Sequence, residues 1–267
     1  MRKNIGRKSS DGQNSERGSW NGTAIVINKL TKKYNEVTAL DELSIQVKTG
    51  ELFGLLGPNG SGKTTTINVL CGLLKPTSGS ASVGGFDVDG HSSEIKGMIG
   101  VVPQDTPIVP YFNGFENVML FGDLYTVPKQ QLKENAHELL DKMGLLEDAN
   151  RRAGQYSGGM KRRISLAMGL VHNPKIAFLD EPTVGMDPQS RRAVWDFIRQ
   201  LKNQNKTIVL TTQYMEEAEE LCDRIAIIDH GKLIALGTPK QLKEKYGAKD
   251  LEDVFLQLTG RKIREGS

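Results

Sequence analysis

Long apolar runs are missing from this chain. Its best candidate, Val69-Leu70-Cys71-Gly72-Leu73-Leu74, stops far short of the roughly 18 residues a membrane-spanning helix needs. A bilayer span is therefore excluded, while a position on a membrane surface stays open. The polar N-terminus has no apolar core of the kind a secretory signal carries. Cysteine is scarce: Cys71 and Cys222 stand far apart and in no metal spacing. They are expected as buried, reduced thiols suited to the cytosol. Charge of one sign is also lacking, since 35 Lys and Arg against 32 Asp and Glu leave a net charge of +3. That is too mild to argue for a nucleic-acid partner. No internal repeat is present. What remains is 267 residues with 37% hydrophobic and 25% charged content, enough for one large α/β domain or two small ones.

Residues 1–22 are rich in Ser, Asn, Gly, Lys and Arg and are expected as a disordered tail. From Ile25 to Val47 the pattern is β with short turns, and LSIQV (43–47) alternates apolar and polar residues. ELFGLL (51–56) and IGVVPQ (99–104) read as short buried strands. Residues 114–146 read as helical, with Leu132, Ala136, Leu139, Leu140 and Met143 at helix spacing. A further helix is expected from Gly158 to about Val171, where Ile164, Ala167, Met168 and Val171 share a face. IAFLD (176–180), TIVLTT (207–212) and RIAIID (224–229) are three more strands, and DHG turns the last into KLIAL as a hairpin. Short apolar strands alternating with helices imply a largely parallel sheet covered on both faces. From Pro239 onward two short helices are expected, the second around residues 251–260.

The chemistry starts at GPNGSGKT (57–64), which fits G-x-x-x-x-G-K-[ST] in full and follows a strand while opening a helix. Gly57, Gly60 and Gly62 let successive N–H groups wrap a phosphate without Cβ clashes. Pro58, Asn59 and Ser61 complete the turn, and the helix N-terminus adds its dipole. Lys63 supplies a charge for β- and γ-phosphates, Thr64 a hydroxyl for Mg²⁺, and Thr65 continues the helix start. The spacing does not match the dinucleotide-binding G-x-G-x-x-G, which has no use for the lysine. Such a cradle needs an acid at the end of a neighbouring strand to hold Mg²⁺. Asp180 is placed there, and Glu181 follows to orient or deprotonate the attacking water.

The choice among phosphate-cradle proteins comes from YSGGMKRR (156–163), which resembles the LSGGQ signature of ABC ATPases and stands before the carboxylate strand as in that family. Ser157 can cap a helix while Gly158 and Gly159 bare its N–H groups; an ordinary N-cap is the plainer reading of those three residues alone. The resemblance covers residues 24–238. It implies an α/β fold, a P-loop NTPase with a mostly parallel core sheet, an N-terminal antiparallel β subdomain and an inserted α-helical subdomain at about 108–172. Residues 239–267 would form a C-terminal helical extension. It further implies that Tyr34 stacks on adenine, although a packed strand-end tyrosine is the alternative. Gln104 would approach Mg²⁺ and water and face a membrane partner. In VGMD (184–187), Asp187 would be the acid of the loop joining two ATPase halves.

Two departures stand out. Gln213, in TTQYMEEAE, replaces the usual histidine at the γ-phosphate, so hydrolysis is expected to be slower or to lean more on Glu181. Tyr156 and Met160 replace Leu and Gln of the signature without touching its backbone donors. TTQYMEEAE, YSGGM and LEDVFLQLTG together resemble the daunorubicin-resistance type of ABC exporter ATPase. That resemblance implies an ATP-hydrolysing, Mg²⁺-using subunit on the cytoplasmic face of the membrane. Its partners would be a second ATPase copy and an integral-membrane permease, and its cargo drugs, antibiotics or lipid-linked compounds. Two other readings stay open: an ABC ATPase of translation or DNA repair, and a nucleotide-dependent regulatory module that hardly hydrolyses.

Overall fold

A computed structural model describes residues 22–105 and 107–260. The polar segment expected as a disordered tail lies, apart from Gly22, outside the described residues. Strands β1 (Thr23–Tyr34) and β2 (Val37–Lys48) form a long antiparallel hairpin, turned at Asn35 with φ 50°. Next come β3 (Leu52–Leu56), helix α1 (Lys63–Leu70), the short strands β4 (Ser78–Val83) and β5 (Phe86–Asp87), and helix α2 (Ser92–Met98). The first sheet has the order β2-β1-β4-β5 and is the antiparallel subdomain. Its last two strands and α2 were not foreseen, because SGSASV has too little apolar content to signal a strand.

Strand β6 (Ile99–Val102) ends one residue before Pro103. The helical stretch expected over 114–146 is in fact two helices, α3 (Gly114–Gly122) and α4 (Lys129–Lys142). The break is chemical: Pro128 lacks an N–H and serves as N-cap of α4. Asn113 and Glu116 close a reciprocal capping box on α3. Helix α5 (Gly158–Leu170) leads to β7 (Ile176–Asp180). The amphipathic α6 (Pro188–Asn203), also unforeseen, leads to β8 (Thr207–Thr212). Helix α7 (Met215–Leu221), the hairpin β9 (Arg224–Asp229) and β10 (Lys232–Gly237), and helices α8 (Pro239–Tyr246) and α9 (Leu251–Thr259) complete the chain.

The second sheet has the order β10-β9-β3-β8-β7-β6. All its pairings are parallel except the β9–β10 hairpin. Every residue of β3, β7 and β8 is buried, as a sheet covered on both faces demands. Alternation sorts their side chains into two cores. Phe53, Leu55, Phe178 and Val209 pack toward the antiparallel sheet, and Leu52, Leu56, Leu179 and Leu210 toward the other face. Cys71 and Cys222 are free and buried, and burial pushes both thiols far above their ordinary value, so neither is a ready nucleophile.

Candidate nucleotide site

Strand β3 delivers the chain into the turn of residues 57–62, and two glycines there have no substitute. A Cβ on Gly57 would lie 2.2 Å from the carbonyl oxygen of Ile228. Gly62, at φ 105°, would set one 2.7 Å from the carbonyl oxygen of Ala39. The turn is thus wedged between β9 and β2, leaving its amides no freedom to move away. The amide of Thr66 bonds back to the carbonyl of Gly62 at 2.9 Å. Those of Lys63, Thr64 and Thr65 belong to the first turn of α1, where no intrahelical acceptor exists. Lys63 is only 4% exposed. Its Nζ donates to the carbonyls of Gly57 (2.8 Å) and Pro58 (3.1 Å) and pairs with Glu181 Oε1 at 3.1 Å.

Those groups open on one cavity of about 340 Å³. Asn59, Gly60 and Gly62 line it from the turn, and Lys63, Thr64 and Thr65 from α1. Gln104, just after β6, and Glu181, just after β7, reach it from neighbouring strand ends. Asp180 is buried beside Glu181 and accepts the hydroxyl of Thr211 through Oδ1. Ser61 is buried with an unpartnered Oγ. Among the described residues no group of three or more His, Cys, Asp or Glu could hold a metal alone. Thr64 and Gln104, two of the three residues expected to hold Mg²⁺, line this cavity, whereas Asp180, the third, lies buried outside its lining.

Glu181 is held in the left-handed region at φ 47°, a conformation that costs a non-glycine residue free energy and persists only when over-determined. Its amide donates to both the hydroxyl and the carbonyl of Thr211, at 3.0 and 3.1 Å. Its carbonyl is gripped by Arg162, a residue to which the sequence reading assigned no role. Arg162 is 5% exposed. Nη2 donates to the carbonyls of Asp180 (2.6 Å) and Glu181 (3.0 Å), and Nε to that of Pro182 (2.9 Å). Nη1 reaches the carbonyls of Pro103 (2.5 Å) and Gln104 (2.9 Å). One guanidinium thus joins the signature helix α5, the carboxylate strand and the Gln104 segment. Burial lowers its pKa from the usual arginine value, and the carboxylates of Asp180 and Glu181 oppose that. In the sequence Arg162 stands between Lys161 and Arg163, and nothing there marks it as buried.

Other expected site residues lie outside the cavity. Tyr34 ends β1, is 43% exposed and has the Lys32 ammonium 5.2 Å from its ring centre. Ser157 caps α5 by accepting from the amide of Met160 at 3.2 Å, the plain N-cap reading of this residue. The glycines behind it are open: a Cβ on Gly158 would meet nothing within 4 Å, and one on Gly159 would come 3.4 Å from Ser190 Oγ. The starts of α5 and α6 therefore adjoin. Asp187 caps α6 by accepting from the amides of Gln189 and Ser190, at 3.0 and 2.9 Å. Hydrogen bonds from Ser190 lead the causes that hold its carboxyl below the usual carboxylate range. Tyr156 is buried and donates to the carbonyl of Asp148 at 2.8 Å, so this departure serves packing in the helical subdomain. Gln213 is 6% exposed, its Oε1 has no partner, and it follows Thr212, whose carbonyl accepts from the Gly57 amide at 3.2 Å.

Comparison with known proteins agrees with this geometry. The family model for ABC transporters matches residues 40–184, a span that holds the cradle, the signature and both carboxylates. The doxorubicin resistance ATP-binding protein DrrA of Mycobacterium tuberculosis is 43% identical over 91% of this chain and 72% of its own length. The linearmycin resistance ATP-binding protein LnrL of Bacillus subtilis is 42% identical over 88% of this chain and 75% of its own. The chain belongs to the ABC transporter ATPases. A dimeric ATP-binding cassette solved with ADP and Pi superposes with a TM-score of 0.73 at 27% identity, covering 80% of this chain and 98% of that one. An ATP-binding subunit of an ABC transporter gives 0.81 at 24% identity, covering 89% and 100%, a likeness of fold. This ABC ATPase binds and hydrolyses ATP. No helix of the described residues is long and apolar enough to cross a membrane.

Proposed function

We propose that this ABC ATPase powers export of drug, antibiotic or lipid-like cargo from the cytoplasmic face of a membrane. The cargo class rests on relatives named for doxorubicin and linearmycin resistance. The observation that carries the mechanism is the convergence of Lys63, Thr64, Gln104 and Glu181 on one cavity. Lys63 leaves the Glu181 carboxylate for the β- and γ-phosphates, which frees Glu181 to accept a proton from water. That water's oxygen attacks the γ-phosphorus, the bond from γ-phosphorus to the bridging oxygen breaks, and ADP and phosphate result. Thr64, Asp180 and Gln104 would hold Mg²⁺, which neutralises charge developing on the phosphates. Tyr34 stacks on adenine.

Two copies close head to tail, each ATP lying between the cradle of one and the Ser157, Gly158 and Gly159 segment of the other, with Asp187 at the joint. Two phosphate-binding helix starts in one domain support this, since a single ATP can scarcely use both. The permease docks on the helical subdomain beyond Gln104, where Tyr111 (81% exposed) and Leu124 (76% exposed) stand out among large apolar side chains.

The test is ATP turnover of the purified chain with Mg²⁺, with and without a membrane partner, wild type beside Glu181→Gln. Removing a positioned acid–base group costs about 10²–10⁴ in rate, so E181Q should bind ATP and lose turnover. Equal turnover removes Glu181 from the role. A wild type that binds ATP but does not turn over, even with the partner, favours the regulatory reading that Gln213 motivates.

A further inference from the structure

Glu217 is the third residue of α7, fully buried at 0% exposure, and absent from the cavity lining. Its Oε1 accepts from the Thr183 hydroxyl at 2.6 Å and from the Trp195 indole N–H at 2.9 Å. Its other oxygen, Oε2, is buried without a partner. The two donors come from different segments, and Glu217 joins both to its own helix α7. Thr183 sits in the turn behind Glu181, closed by the Val184 amide on the Glu181 carbonyl at 3.3 Å. Trp195 lies on α6, the helix that Asp187 caps. Helix α7, which carries Glu217, starts at Met215, two residues after Gln213.

A second contact ties the same elements from outside. The Arg191 guanidinium lies 5.4 Å from the Trp195 ring centre and 6.0 Å from that of Tyr214, and pairs with Glu216 at 3.5 Å. Packing alone does not call for a carboxyl here, because a buried acid is costly and a leucine would fill the space. An acceptor shared by donors from separate segments does what no apolar side chain can: it fixes their spacing to within hydrogen-bond tolerance.

We propose that Glu217 is a positioning residue for hydrolysis, one buried acceptor that holds the Glu181 turn, the Asp187 helix and the Gln213 segment in register. The proposal rests on the reading that those three residues act on ATP. Glu217 touches none of the reacting atoms; it sets where the groups that do so stand. Misplacing a catalytic group by about 1 Å can cost on the order of 10² in rate.

The experiment measures kcat, KM for ATP and the melting midpoint of the full chain as E217L, E217Q, T183V and W195F, with E181Q alongside. E217L, T183V and W195F should lose about ten-fold or more in kcat, while KM stays within about three-fold of wild type. E217Q keeps the acceptor oxygen and should return kcat to within about three-fold. E217L combined with T183V should be no slower than E217L alone, since both cut the same contact. The proposal is overturned if folded E217L and T183V turn over like wild type, if KM rises in step with the fall in kcat, or if E217Q is as slow as E217L. Should E217L not fold, T183V decides, because it removes a single hydroxyl. E181Q at wild-type rate overturns the site reading and this inference with it. E181Q inactive beside fully active T183V and E217L overturns this inference alone.

Discussion

Arg162→Lys keeps the charge and removes the fork, which makes it a direct probe of how the catalytic turn is held. Of the five carbonyls that Arg162 grips, those of Asp180, Glu181 and Pro182 are buried, and those of Pro103 and Gln104 lie nearer solvent. A lysine ammonium has three N–H groups on one atom and cannot span three carbonyls arranged for a planar guanidinium. One or two of the buried carbonyls would lose their donor, at about 1–3 kcal/mol each. The Pro103 and Gln104 carbonyls can be rehydrated at little cost. The expected loss is about 2–4 kcal/mol, against a total of roughly 5–15 kcal/mol for a typical domain. R162K should therefore fold, with its melting midpoint lowered by about 4–16 °C for a domain of this size.

The rate should suffer more than the fold. Glu181 is held at φ 47° by Thr211 on one side and Arg162 on the other. Once the Arg162 bond is gone, the residue can relax toward a commoner conformation and carry its carboxylate off line. Turnover is expected to fall at least ten-fold while KM for ATP moves less than about three-fold, since Lys63 and the glycine turn are untouched. The assay is urea unfolding and steady-state ATP turnover on the same preparation. A midpoint within about 0.5 kcal/mol of wild type together with unchanged turnover would refute the clamp. A stability loss without a rate loss would leave Arg162 a purely structural residue.

Three further outcomes test the rest of the site. Lys63→Ala should weaken ATP binding at least ten-fold by titration calorimetry, because the phosphates lose their buried cation, about 1.4 kcal/mol or more; normal affinity would undo the cradle assignment. Glu181→Gln should hold ATP-bound dimers in sizing experiments that wild type does not accumulate; a strictly monomeric E181Q with ATP, even with the permease supplied, would count against the shared site. His172 provides a pH test. It is half-buried, with Nε2 on the Ile99 carbonyl at 2.9 Å, stacks on Tyr125 at 3.5 Å, and has an unpartnered Nδ1. Burial lowers its pKa, the Ile99 bond opposing and Lys206 assisting. A histidine whose folded value lies below the unfolded one, near roughly 6.5, stabilises fully above that pH and loses its contribution as pH falls below it. His172→Phe should therefore flatten the decline in unfolding midpoint between about pH 7 and pH 5; an unchanged decline would assign it to other groups.

What the sequence made legible was whatever is local along the chain. GPNGSGKT and LDEP each carry their chemistry within a few consecutive residues, so Lys63, Thr64, Asp180 and Glu181 could be assigned before any fold was known. Their meeting in space needed only the inference of a parallel sheet, in which β3 and β7 end at the same edge with β8 between them. Helix α6 carries its apolar face at Val194, Trp195, Phe197, Ile198 and Leu201, a pattern legible in the sequence directly after VGMD. Arg162 and Glu217 are not legible in that way. Each acts on main-chain carbonyls or on donors from remote segments, and neither partner leaves a trace at fixed spacing in the sequence. Arg162 stands among the charged residues of YSGGMKRR and Glu217 among the acids of MEEAEE, where a solvated surface is the natural expectation. Burial reverses that expectation for one residue in each run. A buried polar group persists when partners satisfy it, and here they are the carbonyls around Glu181 for Arg162, and the Thr183 hydroxyl and Trp195 indole for Glu217. The residues proposed to bind phosphate are thus written locally, whereas the buried contacts that brace them become visible only when the fold is assembled.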